Sequence, residues 1–146
     1  MNSGIAEQVV TEARKWIGTP YVHQASCLGA GTDCLGLLRG IWRGVLGHEP
    51  EAVPAYTKDW SEASGVEALW QAARRNLTEK PLLDAASGDV LLFRMRSGAV
   101  AKHLGIQGSL ESFIHAYSGH SVVESSFSAP WRRRLVARFA FPEGVS

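Results

Sequence analysis

The feature that most constrains this chain is a change of hydrophobic period at Gly88. Before it, apolar residues recur at helical spacing; after it, they alternate. A helix-period pattern does not settle as a strand, nor the reverse. Helices first and a meander of strands afterwards predict an α+β fold, with N-terminal helices packed on an antiparallel β-sheet rather than a doubly wound parallel one.

In the helical half, Ile5, Val9, Ala13, Trp16 and Ile17 mark a first helix, with Glu7 in its first turn, Arg14 and Lys15 in its last, and Gly18 and Pro20 beyond. A second helix is expected from about Cys34 to Leu46, capped by Asp33 or Thr32 and closed by Gly47, with Leu35, Leu38, Ile41, Trp42 and Val45 apolar. Gly36, Gly40 and Gly44 fall on one of its faces. Each glycine costs ~0.8–1.0 kcal/mol relative to alanine in a helix interior, so the face predicts close approach of another backbone and lets helix and sheet come together. A third helix is expected after Ser64, with Glu67 completing a capping box and Val66, Leu69, Trp70, Ala73 and Leu77 buried. Candidate strands follow near Val90–Arg94, Ala101–Ile106, Ser112–Tyr117, Ser121–Ser125 and Leu135–Phe141. Loop-like composition is confined to Gly29–Thr32, Gly47–Thr57 and Glu79–Gly88.

A chain of 146 residues without internal repeats predicts a single domain over 1–146. Its net charge of +1 argues against nucleic acid as a partner, although Arg132, Arg133, Arg134 and Arg138 face only Glu143 in the C-terminal segment. No apolar run approaches the ~18 residues of a membrane span. The start, Met1-Asn2-Ser3-Gly4-Ile5-Ala6-Glu7, has neither a basic n-region nor an apolar h-region, so the chain is expected to begin in the cytoplasm without a signal of its own.

Two cysteines, Cys27 and Cys34, are too few for a disulfide framework, so any importance they have is chemical. Cys34 falls in the first turn of the second helix, where backbone N–H groups and the helix dipole stabilise a thiolate and an oxyanion alike. If the hairpin from Ala101 to Tyr117 turns over Gln107–Glu111, Ile106 faces Ser112, Leu104 faces Ile114 and His103 faces His115. Opposed residues share a sheet face about 4.5–5.5 Å apart at Cβ, which brings the two imidazoles together. A thiol at a helix start and two histidines on a strand pair have the makings of a nucleophile, a base and an orienting group.

Three segments then resemble the NlpC-type cell-wall peptidases, papain-like cysteine peptidases of bacterial peptidoglycan. They are Trp-Ile-Gly-Thr-Pro-Tyr at Trp16–Tyr21, Thr-Asp-Cys-Leu-Gly-Leu at Thr32–Leu37, and Gly88–Tyr117 with its Gly-Asp-Val-Leu-Leu-Phe, His-Leu-Gly-Ile and Phe-Ile-His-Ala. The stretch His23–Arg43 and the Trp-Arg-Arg-Arg at Trp131 further resemble the branch encoded by bacteriophages and gene transfer agents.

The resemblance implies a papain-like fold with Cys34 as nucleophile, His103 as general base and His115 orienting it. It also implies Tyr21 near the oxyanion and Asp33 binding a substrate amine, although Asp33 serves equally as a helix N-cap. No metal or cofactor is required. The implied substrate is the stem peptide of peptidoglycan, with phage-like tail or baseplate hub proteins as further partners and action on the wall in the periplasm. Leu35 stands where the family usually has Ser, a difference expected to act on specificity.

Competing readings use the same residues. Cys34, His103 and His115 also make a three-ligand set for zinc, but no Cys-x-x-Cys or His-Glu-x-x-His accompanies them. A redox pair of Cys27 and Cys34 lacks the Cys-x-x-Cys spacing, and Cys27 is expected to be a free thiol. A structural tail component with a peptidase fold is the other class; Trp131 and the arginines beside it would then form a docking surface. His23 is placed near the groove, and His48 and His120 in solvated loops.

Overall fold

The computed structural model describes residues 4–50, 67–117 and 119–142. Helix α1 (Ile5–Lys15) carries Glu7 in its first turn and Arg14 and Lys15 in its last, matching the helix dipole, and buries Val9, Val10 and Ala13. Ile17 lies beyond its end and is exposed, contrary to the periodicity. Two short strands, β1 (Ser26–Cys27) and β2 (Gly31–Thr32), pair antiparallel and lead into α2 (Cys34–Leu46).

Asp33 is the N-cap of α2, its carboxylate accepting from the Gly36 N–H at 2.7 Å, and Gly47 closes the helix at φ +82°. The glycine face does admit close neighbours, but they are not the sheet. A Cβ on Gly36 would lie 1.9 Å from the Ala25 carbonyl oxygen, one on Gly40 would lie 2.0 Å from the Trp16 ring, and one on Gly44 would lie 2.5 Å from the Glu12 carboxyl carbon. The bare face therefore seats α1 and the strand-β1 segment.

Helix α3 (Ala68–Asn76) buries Leu69 and Ala73. Ser64 and Val66 lie outside the described residues, and Glu67 makes no cap hydrogen bond. Its carboxylate instead accepts from Arg94 and from the Ala101 N–H, because pairing a guanidinium and holding the loop before the next strand competes with reaching back to a helix start.

The remaining strands are β3 (Thr78–Lys80), β4 (Val90–Phe93), β5 (His103–Ser109), β6 (Ser112–His115), β7 (Val123–Ser126) and β8 (Leu135–Ala140), with a short helix α4 (Ala129–Arg134) before the last. They form one antiparallel sheet in the order β3-β8-β4-β5-β6-β7. Strand β3 overlaps the start of the Glu79–Gly88 stretch whose composition reads as loop; three residues, two of them exposed, are too short to carry an alternation.

All four residues of β4 are buried because both sheet faces are covered. On one face Val90, Leu92, Leu104, Ile106, Ile114, Ala137 and Phe139 meet Val9 and Ala13 of α1 and Leu37 and Ile41 of α2. On the other, Leu91, Phe93, Phe113 and Phe127 form a second cluster closed by Trp131 and Leu135.

The sheet also rests on a buried ion cluster. Arg138 donates to Asp89 at 2.7 Å and to the Gln107 side-chain oxygen, while Lys80 donates to the same aspartate at 2.9 Å. Arg138 is only 2% exposed, so it belongs to the core and not to the basic C-terminal surface. Of the arginine run, Arg132 is spent on the carbonyls of Phe127 and Leu110, and Arg134 on that of Pro130.

Candidate active site

The hairpin of β5 and β6 is where the site's geometry departs from the expected register. Ile106 pairs with Ile114, Gln107 with Phe113, and Ser109 with Ser112 across a bulge, so the turn shrinks to Leu110 and Glu111. Relative to the expected pairing, Ile106 has moved by two residues, from Ser112 to Ile114. A two-residue shift keeps every side chain on its face, whereas a shift of one would have separated the histidines. His103 and His115 are thus diagonal rather than directly opposed, within reach of long side chains. His103 Nε2 lies 2.9 Å from His115 Nδ1.

The chain of bonds continues. His115 Nε2 lies 2.9 Å from Ser125 Oγ, on the neighbouring strand β7. Ser125 was not singled out by the sequence, because only the β6–β7 register, with Phe113 opposite Ser125 and His115 opposite Val123, brings its hydroxyl beneath the imidazole. The rings are walled by aromatics: Trp131 lies 5.6 Å from His103 and 5.1 Å from His115, Phe113 4.3 Å from His115, and Tyr117 5.3 Å from His115. Trp131 is therefore a wall of this site, half-buried over the imidazoles. Burial first and His115 second hold His103 down to about 3; burial and then His120 hold His115 down to about 4. Both rings are neutral near pH 7.

Cys34 approaches the same strand from the helix side. Its sulfur lies 3.6 Å from the Lys102 carbonyl oxygen, and the backbone N–H of Leu104 also points to it, so it sits against the backbone on either side of His103. Burial, and next the Asp33 carboxylate, push the thiol up to about 11, opposed by the N–H groups of Leu104, Leu35 and Cys34 itself. The resting site thus holds a neutral thiol and neutral imidazoles, and the thiol proton must leave as the sulfur attacks.

Tyr21 and Asp33 complete the surroundings. Tyr21 bridges to Thr32 just before α2; burial, then Cys34 and Asp33, raise its phenol to about 12, which keeps it a hydrogen-bond donor. Asp33 is buried and accepts from the Gly36 and Gln24 N–H groups, each at 2.7 Å, with His23 Nδ1 at 3.8 Å. Gln24 adopts φ +67°, a left-handed conformation uncommon for a side-chain-bearing residue, and so aims its N–H at that carboxylate. Both oxygens of Asp33 are thereby engaged in shaping the start of α2. Cys27 is exposed and free. Among the described residues, no group of three or more His, Cys, Asp or Glu is arranged to hold a metal ion.

A helix-borne cysteine seated against a strand whose histidine bonds to a second one is the arrangement the sequence motifs suggested, and comparison with known proteins decides its lineage. Residues 18–139 match the NlpC/P60 family. The chain belongs to that family. The murein DD-endopeptidase/LD-carboxypeptidase MepS of Escherichia coli K12 is 26% identical over 134 residues, 91% of this chain and 61% of that protein. A gamma-DL-glutamyl hydrolase of Bacillus subtilis is 30% identical over 129 residues, 87% of this chain and 27% of that protein. The chain thus spans less than two thirds of the length of either relative. Among solved structures, the NlpC/p60 domain of the peptidoglycan hydrolase SagA superposes with a TM-score of 0.64 at 23% identity, covering 93% of this chain and 98% of that one. An NlpC/P60 protein of Bacillus cereus gives 0.66 at 16% identity, over 93% of this chain and 40% of that one. The NlpC/P60 fold thus holds over 93% of the chain.

Proposed function

We propose that this NlpC/P60 chain is a cysteine peptidase that hydrolyses amide bonds in the stem peptides of peptidoglycan. The observation that carries the reading is that His103, beside whose backbone the Cys34 sulfur sits, bonds across the hairpin to His115. Cys34 attacks the amide carbonyl while its proton passes to His103, whose ring is unprotonated near pH 7. The oxyanion is met by the Cys34 N–H at the start of α2 and by the Tyr21 phenol. Protonated His103 then donates to the leaving amine, and water hydrolyses the thioester, returning the thiol. The name of one relative, a murein endopeptidase, supports cleavage in such material, and that of the other, a gamma-DL-glutamyl hydrolase, supports hydrolysis of a glutamyl bond.

The reading extends to the bond between D-glutamate and the diamino acid, to delivery by a phage-like particle beside tail or baseplate hub proteins, and to action in the periplasm. The bond rests on the resemblance of the three motif segments to the family, and the particle setting on that of His23–Arg43 and the Trp131 run. Digestion of purified Gram-negative peptidoglycan by the wild type and by Cys34→Ala, with released fragments identified by mass spectrometry, tests it. Fragments that vanish in the variant are expected and identify the bond. Release that persists in Cys34→Ala, or no release by a folded wild type, refutes the peptidase reading and favours a structural tail component.

A further inference from the structure

We infer that Ser125 is a positioning residue for the histidine pair, the terminal hydrogen-bond acceptor that fixes which nitrogen of each imidazole carries the proton. The inference rests on the peptidase reading for its consequence, and on distances alone for its geometry. When His103 holds the proton taken from Cys34 on Nδ1, its Nε2 is protonated too. Among the described residues that Nε2 has one hydrogen-bond partner, His115 Nδ1 at 2.9 Å, which must then be the unprotonated nitrogen of a neutral ring. His115 therefore carries its hydrogen on Nε2, and Ser125 Oγ, 2.9 Å away, accepts it.

Every link in this direction is forced once the first proton arrives. With the direction reversed, His103 Nδ1 already bears hydrogen and cannot serve as a base. Sequence proximity plays no part: Ser125 reaches the pair from a separate strand, on the face that carries Phe113 and Trp131. Tyr117 packs on the pair with His120 against its far side, Arg134 lies above Trp131 on α4, and Cys34 meets the backbone carbonyl next to His103. Of these, His120 is the one whose charge is felt at His115. None of those contacts supplies an acceptor for the His115 Nε2–H.

The test pairs imidazole ¹⁵N NMR with steady-state hydrolysis of stem peptide. In the wild type near pH 7, both rings are expected neutral with hydrogen on Nε2. Ser125→Ala should redistribute the His115 hydrogen toward Nδ1 and lower kcat about ten-fold, with KM little changed, because the lost bond serves a charged state formed only during turnover. Ser125→Thr, which keeps the hydroxyl and suits a strand, should restore both the wild-type spectrum and kcat. A wild-type spectrum with the His115 hydrogen on Nδ1 overturns the inference outright, as does a folded Ser125→Ala with wild-type tautomers and kcat. If the wild type hydrolyses no peptide, the peptidase reading falls while the spectra still judge Ser125. If Ser125→Ala does not fold, the wild-type tautomer and the Ser125→Thr rescue decide.

Discussion

Gly36→Ala puts two opposing effects on one atom. In an isolated helix the change is favourable by about 0.8–1.0 kcal/mol. In this protein the added Cβ would stand 1.9 Å from the Ala25 carbonyl oxygen and 2.7 Å from Thr32 Oγ1, against 3.4 Å or more for an ordinary contact. Relief requires the Ala25 carbonyl to retreat, but that oxygen accepts the Asp33 N–H at 3.3 Å, and Ser26 next to it donates to the Gly36 carbonyl at 2.6 Å. Overpacking costs about 1–3 kcal/mol, and each hydrogen bond lost adds about 0.5–1.5 kcal/mol.

The net expectation is a loss of about 2–3 kcal/mol. At about 2–4 °C per kcal/mol for a chain near this size, the melting temperature should fall by roughly 4–12 °C. Gly44→Ala is the matched control: its Cβ meets only the carboxylate end of Glu12, which can swing away at the expense of an ion pair with Lys15 worth about 0–1 kcal/mol. That variant should be neutral or stabilised. Thermal and urea unfolding followed by circular dichroism measure both. A Gly36→Ala protein as stable as Gly44→Ala would refute the argument that backbone approach, and not weak helix propensity, explains the glycine face.

Three further outcomes are expected. Asp89→Ala strands Arg138 and Lys80 without their carboxylate, and breaking a buried pair from one side costs about 3–5 kcal/mol, so the urea midpoint should collapse; a near-native midpoint would show that water reaches the cluster. The folded imidazoles resist protonation, His103 until about 3 and His115 until about 4, whereas the unfolded ones bind protons from about 6.5. The unfolded state therefore holds more protons in that window, and stability present above 6.5 is lost as pH falls toward 4, more steeply than in His115→Gln; equal slopes would contradict it. Cys27→Ser should leave peptide hydrolysis unchanged, because Cys27 is an exposed thiol on β1; a large loss in that assay would give it a role in the site.

The start and stop of α2 were legible because they are local. Asp33 before Cys34 and Gly47 after Leu46 cap their helix in the structure as their chemistry dictates, and the alternation after Gly88 marked five of the sheet's six strands. The partners of the glycine face were not legible, since spacing shows that a face is bare but not which element fills it. The burial of Arg138 was not legible for the same reason: its neighbours Asp89 and Gln107 are remote in sequence.

The sequence by itself determined the α+β order, the helix that starts at Cys34, and the face parity that puts His103 and His115 on one side of a hairpin. Parity survives a register error of two, so the pair was readable although the pairing was not. Only the tertiary structure decided the diagonal contact, the Ser125 acceptor and the seating of Cys34 against the Lys102 carbonyl. Those depend on a bulge and on strands brought together by burial of both sheet faces, terms that no local window of sequence contains.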